Sequence, residues 1–213
     1  MDTMKLNILN KTLAYSFLFF FTSFAYAGQA TDYLDKFVLN LKTMEGEFLQ
    51  TLEDANGKQL QVQSGTLSLK KPGKFNWHYQ TPFEQKIVSD GEKLWFYDIG
   101  LEQVTVKSLE DALGTAPIAL LTTEQKLEEQ FVLTDLGQIG EQYMVQLESK
   151  VKDTDYGHAL LAFGKNGNIE VMQLKDPLGQ VTTIMFDKLK MNELDNEKAF
   201  YFDIPDGVDV IGM

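Results

Sequence analysis

His78 and His158 are the only imidazoles in the 213-residue chain, which has no cysteine and no arginine. The two histidines lie 80 residues apart, and neither has an i, i+4 partner. A helical zinc site needs two such ligands on one face, so no metal site is expected. Without cysteine there is no disulfide, no thiolate nucleophile and no Cys-attached lipid. All 19 basic residues are lysine, so the planar fork that grips carboxylates and phosphates is missing. The acid pairs Glu53-Asp54 and Glu128-Glu129 are adjacent in sequence. Adjacent side chains diverge on a strand or helix, so neither pair makes the converging carboxylates of a glycosidase. No G-x-S-x-G elbow or phosphate-binding loop occurs. These residues predict no enzyme and no cofactor. A formal charge of −12 argues against nucleic acid as a partner, since phosphate neutralisation needs a basic stripe.

The chemistry that remains is apolar. Phe75, Trp77 and Tyr79 alternate with Asn76 and His78, which puts three aromatic rings on one face of a short strand. Such a face can stack a sugar or line a greasy pocket, and the elements around it decide which.

The chain opens with Lys5 and Lys11, then the apolar run Leu13–Phe24, then Ala25-Tyr26-Ala27. A positive n-region, a short apolar region and small residues at −3 and −1 read as a secretory leader, residues 1–27, cleaved before Gly28. The run is shorter than the roughly 20 residues of a spanning helix. Removing it takes away Lys5, Lys11 and Asp2 and leaves residues 28–213 with a charge of −13. The expected location is an exported, oxidising compartment.

Leu34, Phe37, Val38, Leu41 and Met44 recur at helical period and predict one amphipathic helix, capped by Thr31 or Asp32. From Gly46 the period becomes two. Leu67 and Leu69 precede Lys70-Lys71-Pro72-Gly73, a strand-ending turn. Asn56-Gly57, Asp90-Gly91 and Asn166-Gly167 mark hairpins, the first as a type I′ turn. A two-residue turn at Asp90-Gly91 would set Ile87 opposite Leu94 and Val88 opposite Lys93. Ile87, Leu94 and Phe96 then share one face, Trp95 and Tyr97 the other, and the hairpin is covered on both sides. Ser108 with Asp111 resembles a capping box; Gly114 stops that turn, and Pro117 starts a short helix through Ile118 and Leu121. Strands resume at Phe131 and continue to a last one at Ala199–Ile204, with a short tail after Asp206-Gly207.

The expected fold is α+β, mainly β: a single domain built on an unclosed antiparallel barrel of about eleven strands. The helices are too few to cover so long a sheet as a layer, so they cross its open mouth as a lid. A half-barrel lined by aromatics makes a cavity for an apolar ligand. The acidic body stays off anionic membrane surfaces while carrying it. The expected lining is Leu34, Phe37, Val38 and Leu41 from the first helix and Leu113, Ile118 and Leu121 from the middle segment. The sheet would supply Phe48, Leu67, Leu69, Phe75, Trp77, Tyr79, Ile87, Leu94 and Phe96.

The run from Leu67 to Trp77, LSLKKPGKFNW, resembles the motif L-x-V-K-R-P-x-x-F-x-W of the periplasmic outer-membrane lipoprotein carrier family, LolA. Ile87–Tyr97, IVSDGEKLWFY, resembles the stretch that follows in that family. Leu101-Glu102-Gln103 and the Gly114/Pro117 segment keep its order. The resemblance implies a lidded half-barrel that holds lipoprotein acyl chains without catalysis. It implies triacylated lipoproteins as cargo, an inner-membrane release complex (LolCDE) as donor, and the outer-membrane receptor LolB as acceptor. LolB is itself a lipoprotein and needs a cysteine at its cleavage site, which this chain lacks. A carrier of free phospholipid or glycolipid on the same scaffold is the alternative, and a monomer is the default.

One departure stands out. The family's K-R-P arginine latches the lid by donating to helix carbonyls, and Lys71 occupies that position here. A lysine lacks the five-donor fork, so the resemblance implies a weaker latch. Energetics also favour a lid that competes with cargo. Each buried methylene gains about 0.8 kcal/mol, so the roughly forty of a triacylated anchor would gain about 30 kcal/mol if fully buried. Release then requires either that the chains be only partly buried or that lid side chains refill the cavity, and the second is expected.

Overall fold

The computed structural model describes residues 28–109, 119–122, 127–150 and 158–212. Helix α1 (Gln29–Asn40) leads into six strands: β1 (Thr43–Glu53), β2 (Gln59–Lys70), β3 (Lys74–Thr81), β4 (Gln85–Asp90), β5 (Lys93–Asp98) and β6 (Gln103–Ser108). Among the described residues two single-turn helices follow, α2 (Ala119–Thr122) and α3 (Leu127–Gln130). The second run of strands is β7 (Phe131–Ile139), β8 (Gln142–Ser149), β9 (His158–Phe163), β10 (Ile169–Lys175) and β11 (Val181–Met191). A 3₁₀ turn (Glu197–Phe200) and a short β12 (Asp209–Ile211) end the chain.

All twelve strands form one unclosed sheet in the order β12-β6-β5-β4-β3-β2-β1-β11-β10-β9-β8-β7. The two meanders meet where β1 pairs with β11, and every pairing is antiparallel except β12 with β6. Tight bending shows at Gly65, where a Cβ would lie 1.9 Å from the His78 carbonyl oxygen of the neighbouring strand. Only glycine lets the β2 and β3 backbones approach so closely.

α1 packs against β7, β8 and β9. It turns Ala30, Leu34 and Phe37 inward into the same apolar core as the inner faces of the sheet. The outer face of β4–β6 carries Val88, Trp95, Tyr97, Val104 and Val106. The C-terminal segment covers it. Phe200 is buried, and Phe202 lies 6.0 Å from the Trp95 ring and 5.7 Å from Tyr97. Glu197 pairs with Lys70 and Lys74, and Asn76 Nδ2 donates to the Ala199 carbonyl at 2.9 Å. The β4–β5 hairpin is thus covered on both sides.

Several local expectations change. α1 stops at Asn40, because Leu41 is extended and β1 begins at Thr43. Met44 kept the helical spacing but is a strand residue facing the same core. The helix starts at Gly28 without a side-chain cap of its own, so neither Thr31 nor Asp32 is the cap. Asn56 does not adopt positive φ, whereas Gly57 does, at +78°, so the turn is not type I′. The Asp54 carboxylate instead accepts from the Asn56 and Lys58 amides and closes a longer loop. In the β4–β5 hairpin, Ile87 faces Phe96 and Ser89 faces Leu94, two residues from the expected register. The shift is even, so the predicted faces hold. Ala199–Ile204 is a 3₁₀ turn and an irregular stretch rather than a strand, because Phe200 and Phe202 serve the outer cluster. The tail after Gly207 supplies the twelfth strand instead. Ser108 belongs to β6, while Asp111, Gly114 and Pro117 lie outside the described residues.

Candidate functional site

The pleat of β3 places Phe75, Trp77 and Tyr79 on the inner face, and all three are buried. Cross-strand pairing sets Leu69 against Phe75, Leu67 against Trp77, and Trp77 against Ile87. Phe48 of β1 stacks on Trp77 at 4.0 Å between centroids and meets Tyr79 edge-on at 5.3 Å. Phe186 of β11 lies perpendicular to Trp77 at 6.5 Å between centroids. From α1, Phe37 approaches Phe163 of β9 at 5.5 Å, and Tyr33 stacks on Tyr143 of β8 at 4.2 Å. Offset and edge-on rings of this kind hold an aromatic floor in place while leaving its faces apolar.

The structure gathers the expected lining residues into this one interior. Leu34, Phe37, Leu41, Phe48, Leu67, Leu69, Phe75, Trp77, Tyr79, Leu94 and Leu121 are buried members of the core, with Val38, Ile87 and Phe96 partly buried against it. Leu113 and Ile118 lie outside the described residues. The second meander's half of the interior went unassigned in the sequence. It includes Tyr143, Val145, Leu147, Leu161, Phe163, Met172, Leu174 and Ile184. The alternation of Tyr143, Val145 and Leu147 carried the signal.

Polar contacts fasten the helix at its ends. At the start, Asp135 of β7 accepts from the Thr31 amide at 2.9 Å and the Thr31 hydroxyl at 3.2 Å. It serves one of the orphan donors of the first helical turn. Burial works against the Asp135 charge. The amides of Thr31 and Gly137 outweigh it and hold the carboxyl below its ordinary value. At the other end, Lys71 Nζ donates to the Val38 carbonyl at 3.0 Å. That carbonyl is among the last four of α1, where a cation also meets the negative end of the helix dipole. Asn192 Nδ2 donates to the Asn40 carbonyl at 2.9 Å, and its Oδ1 accepts from the Lys42 and Thr43 amides. Two residues beyond Lys71, the Gly73 amide donates to the Thr122 carbonyl at the end of α2, at 3.2 Å. Gly73 has φ +67°, which suits glycine. One turn between β2 and β3 therefore touches both α1 and α2. On the outward side of α1, desolvation, then the charges of Glu128 and Asp32, push Asp35 above its ordinary value.

A groove of about 370 Å³ runs between α1 and the β9–β10 turn, past Tyr33, Phe37, Leu41, Lys165 and Met191. The helix is thus incompletely sealed against the sheet on that side. His78 points outward and meets Glu84 at 2.8 Å, away from the aromatic floor. No helix among the described residues is long and apolar enough to cross a membrane. The arrangement suits holding an apolar ligand beneath a helix fastened by a few polar bonds.

Comparison with known proteins bears on the ligand. Residues 39–203 match the family model "Outer membrane lipoprotein carrier protein LolA". An outer-membrane lipoprotein carrier protein of Nitrosospira multiformis is 40% identical over 92% of this chain and 95% of its own length. One from Dechloromonas aromatica is 37% identical over 98% of this chain and 100% of its own. Among solved structures, an uncharacterized conserved protein from Thermus thermophilus superposes with a TM-score of 0.57 at 13% identity. The match covers 85% of this chain and 98% of that one, a likeness of fold alone.

Proposed function

The chain belongs to the outer membrane lipoprotein carrier family, LolA, and from that premise we propose that it carries lipoproteins by sheltering their acyl chains between the aromatic floor and α1. The observation that carries this reading is the single apolar interior shared by α1 and both meanders. A ligand of hydrocarbon chains would displace Leu34 and Phe37 of α1 from that interior. Each displaced side chain gives back about 1.5–3 kcal/mol of burial, so the helix offsets part of what the ligand gains and eases its release. Lys71, Asp135 and Asn192 set how readily the helix lifts.

In this reading residues 1–27 are a cleaved leader, residues 28–213 are the working protein, and its compartment is the periplasm. The cargo is triacylated lipoprotein, received from LolCDE at the inner membrane and delivered to LolB at the outer membrane. The protein acts as a chaperone without turnover. Its acidic surface supports a freely diffusing carrier, because anionic leaflets repel it.

The test is release from spheroplasts. Purified residues 28–213 should bring acylated lipoproteins into the supernatant as a one-to-one complex, dependent on ATP-driven release. No release, with free phospholipid or glycolipid found in the purified protein, would move the function to general lipid transport.

A further inference from the structure

Trp77 is 2% exposed, yet its indole Nε1 is buried without a hydrogen-bond partner, alone among the side chains of the described residues. Buried tryptophans ordinarily find an acceptor, and a donor left unmade in an apolar setting is destabilising. Its polar neighbours do not relieve it. Tyr79, on the same strand face, donates its hydroxyl to Gln50 Oε1 at 3.1 Å, and Gln50 Nε2 donates to Gln63 Oε1 at 3.3 Å. Phe48 stacks on the ring and Phe186 lies perpendicular to it, and neither side chain carries a nitrogen or oxygen acceptor.

We propose that the Trp77 indole N–H is the recognition point for an acyl carbonyl, the ester or amide oxygen that joins a hydrocarbon chain to its head. This inference rests on the proposed acyl-binding role of the interior and adds a selectivity to it. Hydrocarbon alone fills the floor equally well whether it is ester-linked or ether-linked. A carbonyl oxygen is the stronger acceptor for Trp77; an ether oxygen accepts only weakly. One unmet donor beside groups already engaged with each other, Tyr79 with Gln50 and Gln50 with Gln63, fixes how deep the linkage sits, because a carbonyl placed elsewhere on the floor would lose its own hydrogen bond.

The experiment compares a short-chain diacylglycerol with the dialkylglycerol of the same chain length, using residues 28–213. The ester-to-ether affinity ratio should fall about three- to tenfold in Trp77→Phe, the worth of one neutral hydrogen bond. In the ¹⁵N-labelled wild-type protein, the Trp77 indole N–H resonance should move further downfield with the ester than with the ether. The Trp95 indole, on the outer face beside Phe202, should stay put with both. This second measurement needs no variant. An unchanged ratio, or a Trp77 resonance that ignores the ester, overturns the anchor while leaving the acyl-binding interior intact. Failure of the wild type to bind either lipid overturns both.

Discussion

Lys71→Met keeps the aliphatic stem of the side chain and removes the donor to the Val38 carbonyl. The bond is 3.0 Å long, charge-assisted and half-buried. Hydrogen bonds to charged groups contribute about 1.5–3 kcal/mol, and partial exposure trims that. The interaction with the helix C-terminus adds a few tenths. About 1–2 kcal/mol of α1 docking should therefore be lost, which is about a five- to thirtyfold rise in the open fraction. Amide hydrogen exchange reads this directly. The amides of Leu34–Asn40 should exchange about five- to thirtyfold faster in the variant, while those of Leu161 and Phe163 in β9 keep their protection. Lys71→Arg should do the opposite, since its fork can reach more than one carbonyl, and should slow both exchange and cargo release. Unchanged α1 exchange in Lys71→Met would refute the latch. Unchanged retention and transfer in Lys71→Arg would refute the weaker grip of lysine.

Asp135→Asn should loosen the start of α1 by about 1 kcal/mol, read as faster exchange of its first-turn amides. Because the folded carboxyl titrates below its ordinary value of 3.8, its stabilising share is fully present above that value and is lost as pH falls through the lower folded one. An acid melt of Asp135→Asn should therefore lack that component of pH dependence. Gly65→Ala would drive a methyl into the β3 backbone at His78 and should cost about 3 kcal/mol, the upper end of the overpacking range, in urea unfolding. A smaller loss would mean that the two strands separate easily there. Phe200→Ala should cost about 3–5 kcal/mol and lower Tm, and a neutral result would show that the outer cluster contributes little.

Local alternation reached far into this structure, and its failures have physical causes. Phe75, Trp77 and Tyr79 fell on the inner face because the strand period is fixed by the pleat. The faces of the β4–β5 hairpin survived a misplaced register because the error was even. The end of α1 was misread because Leu41 and Met44 satisfy both the helical stripe and the inner face of the next segment. Phe200 and Phe202 imitate a strand because they alternate, but Phe202 packs on Trp95 and Tyr97 and Phe200 is buried from a 3₁₀ turn against β3 and β4, and neither joins a ladder. β12 is three residues long and parallel, and a hairpin signal cannot announce it. The tether from Asp135 to Thr31 spans 104 residues, and nothing near either one marks it. Lys71 was legible only through its motif, since a lone turn lysine otherwise reads as an exposed cation.

The sheet has two free ends, β12 and β7, that never meet. In a closed barrel, strand number and shear fix the radius, and swelling the lumen means breaking ladder bonds around a hoop. An open seam has no hoop. The twelve strands can uncoil or tighten by small changes of twist spread over eleven pairings, and every backbone bond survives. Girth then becomes an adjustable dimension, which in the proposed carrier would let chains of different number or length be admitted at the cost of side-chain contacts alone.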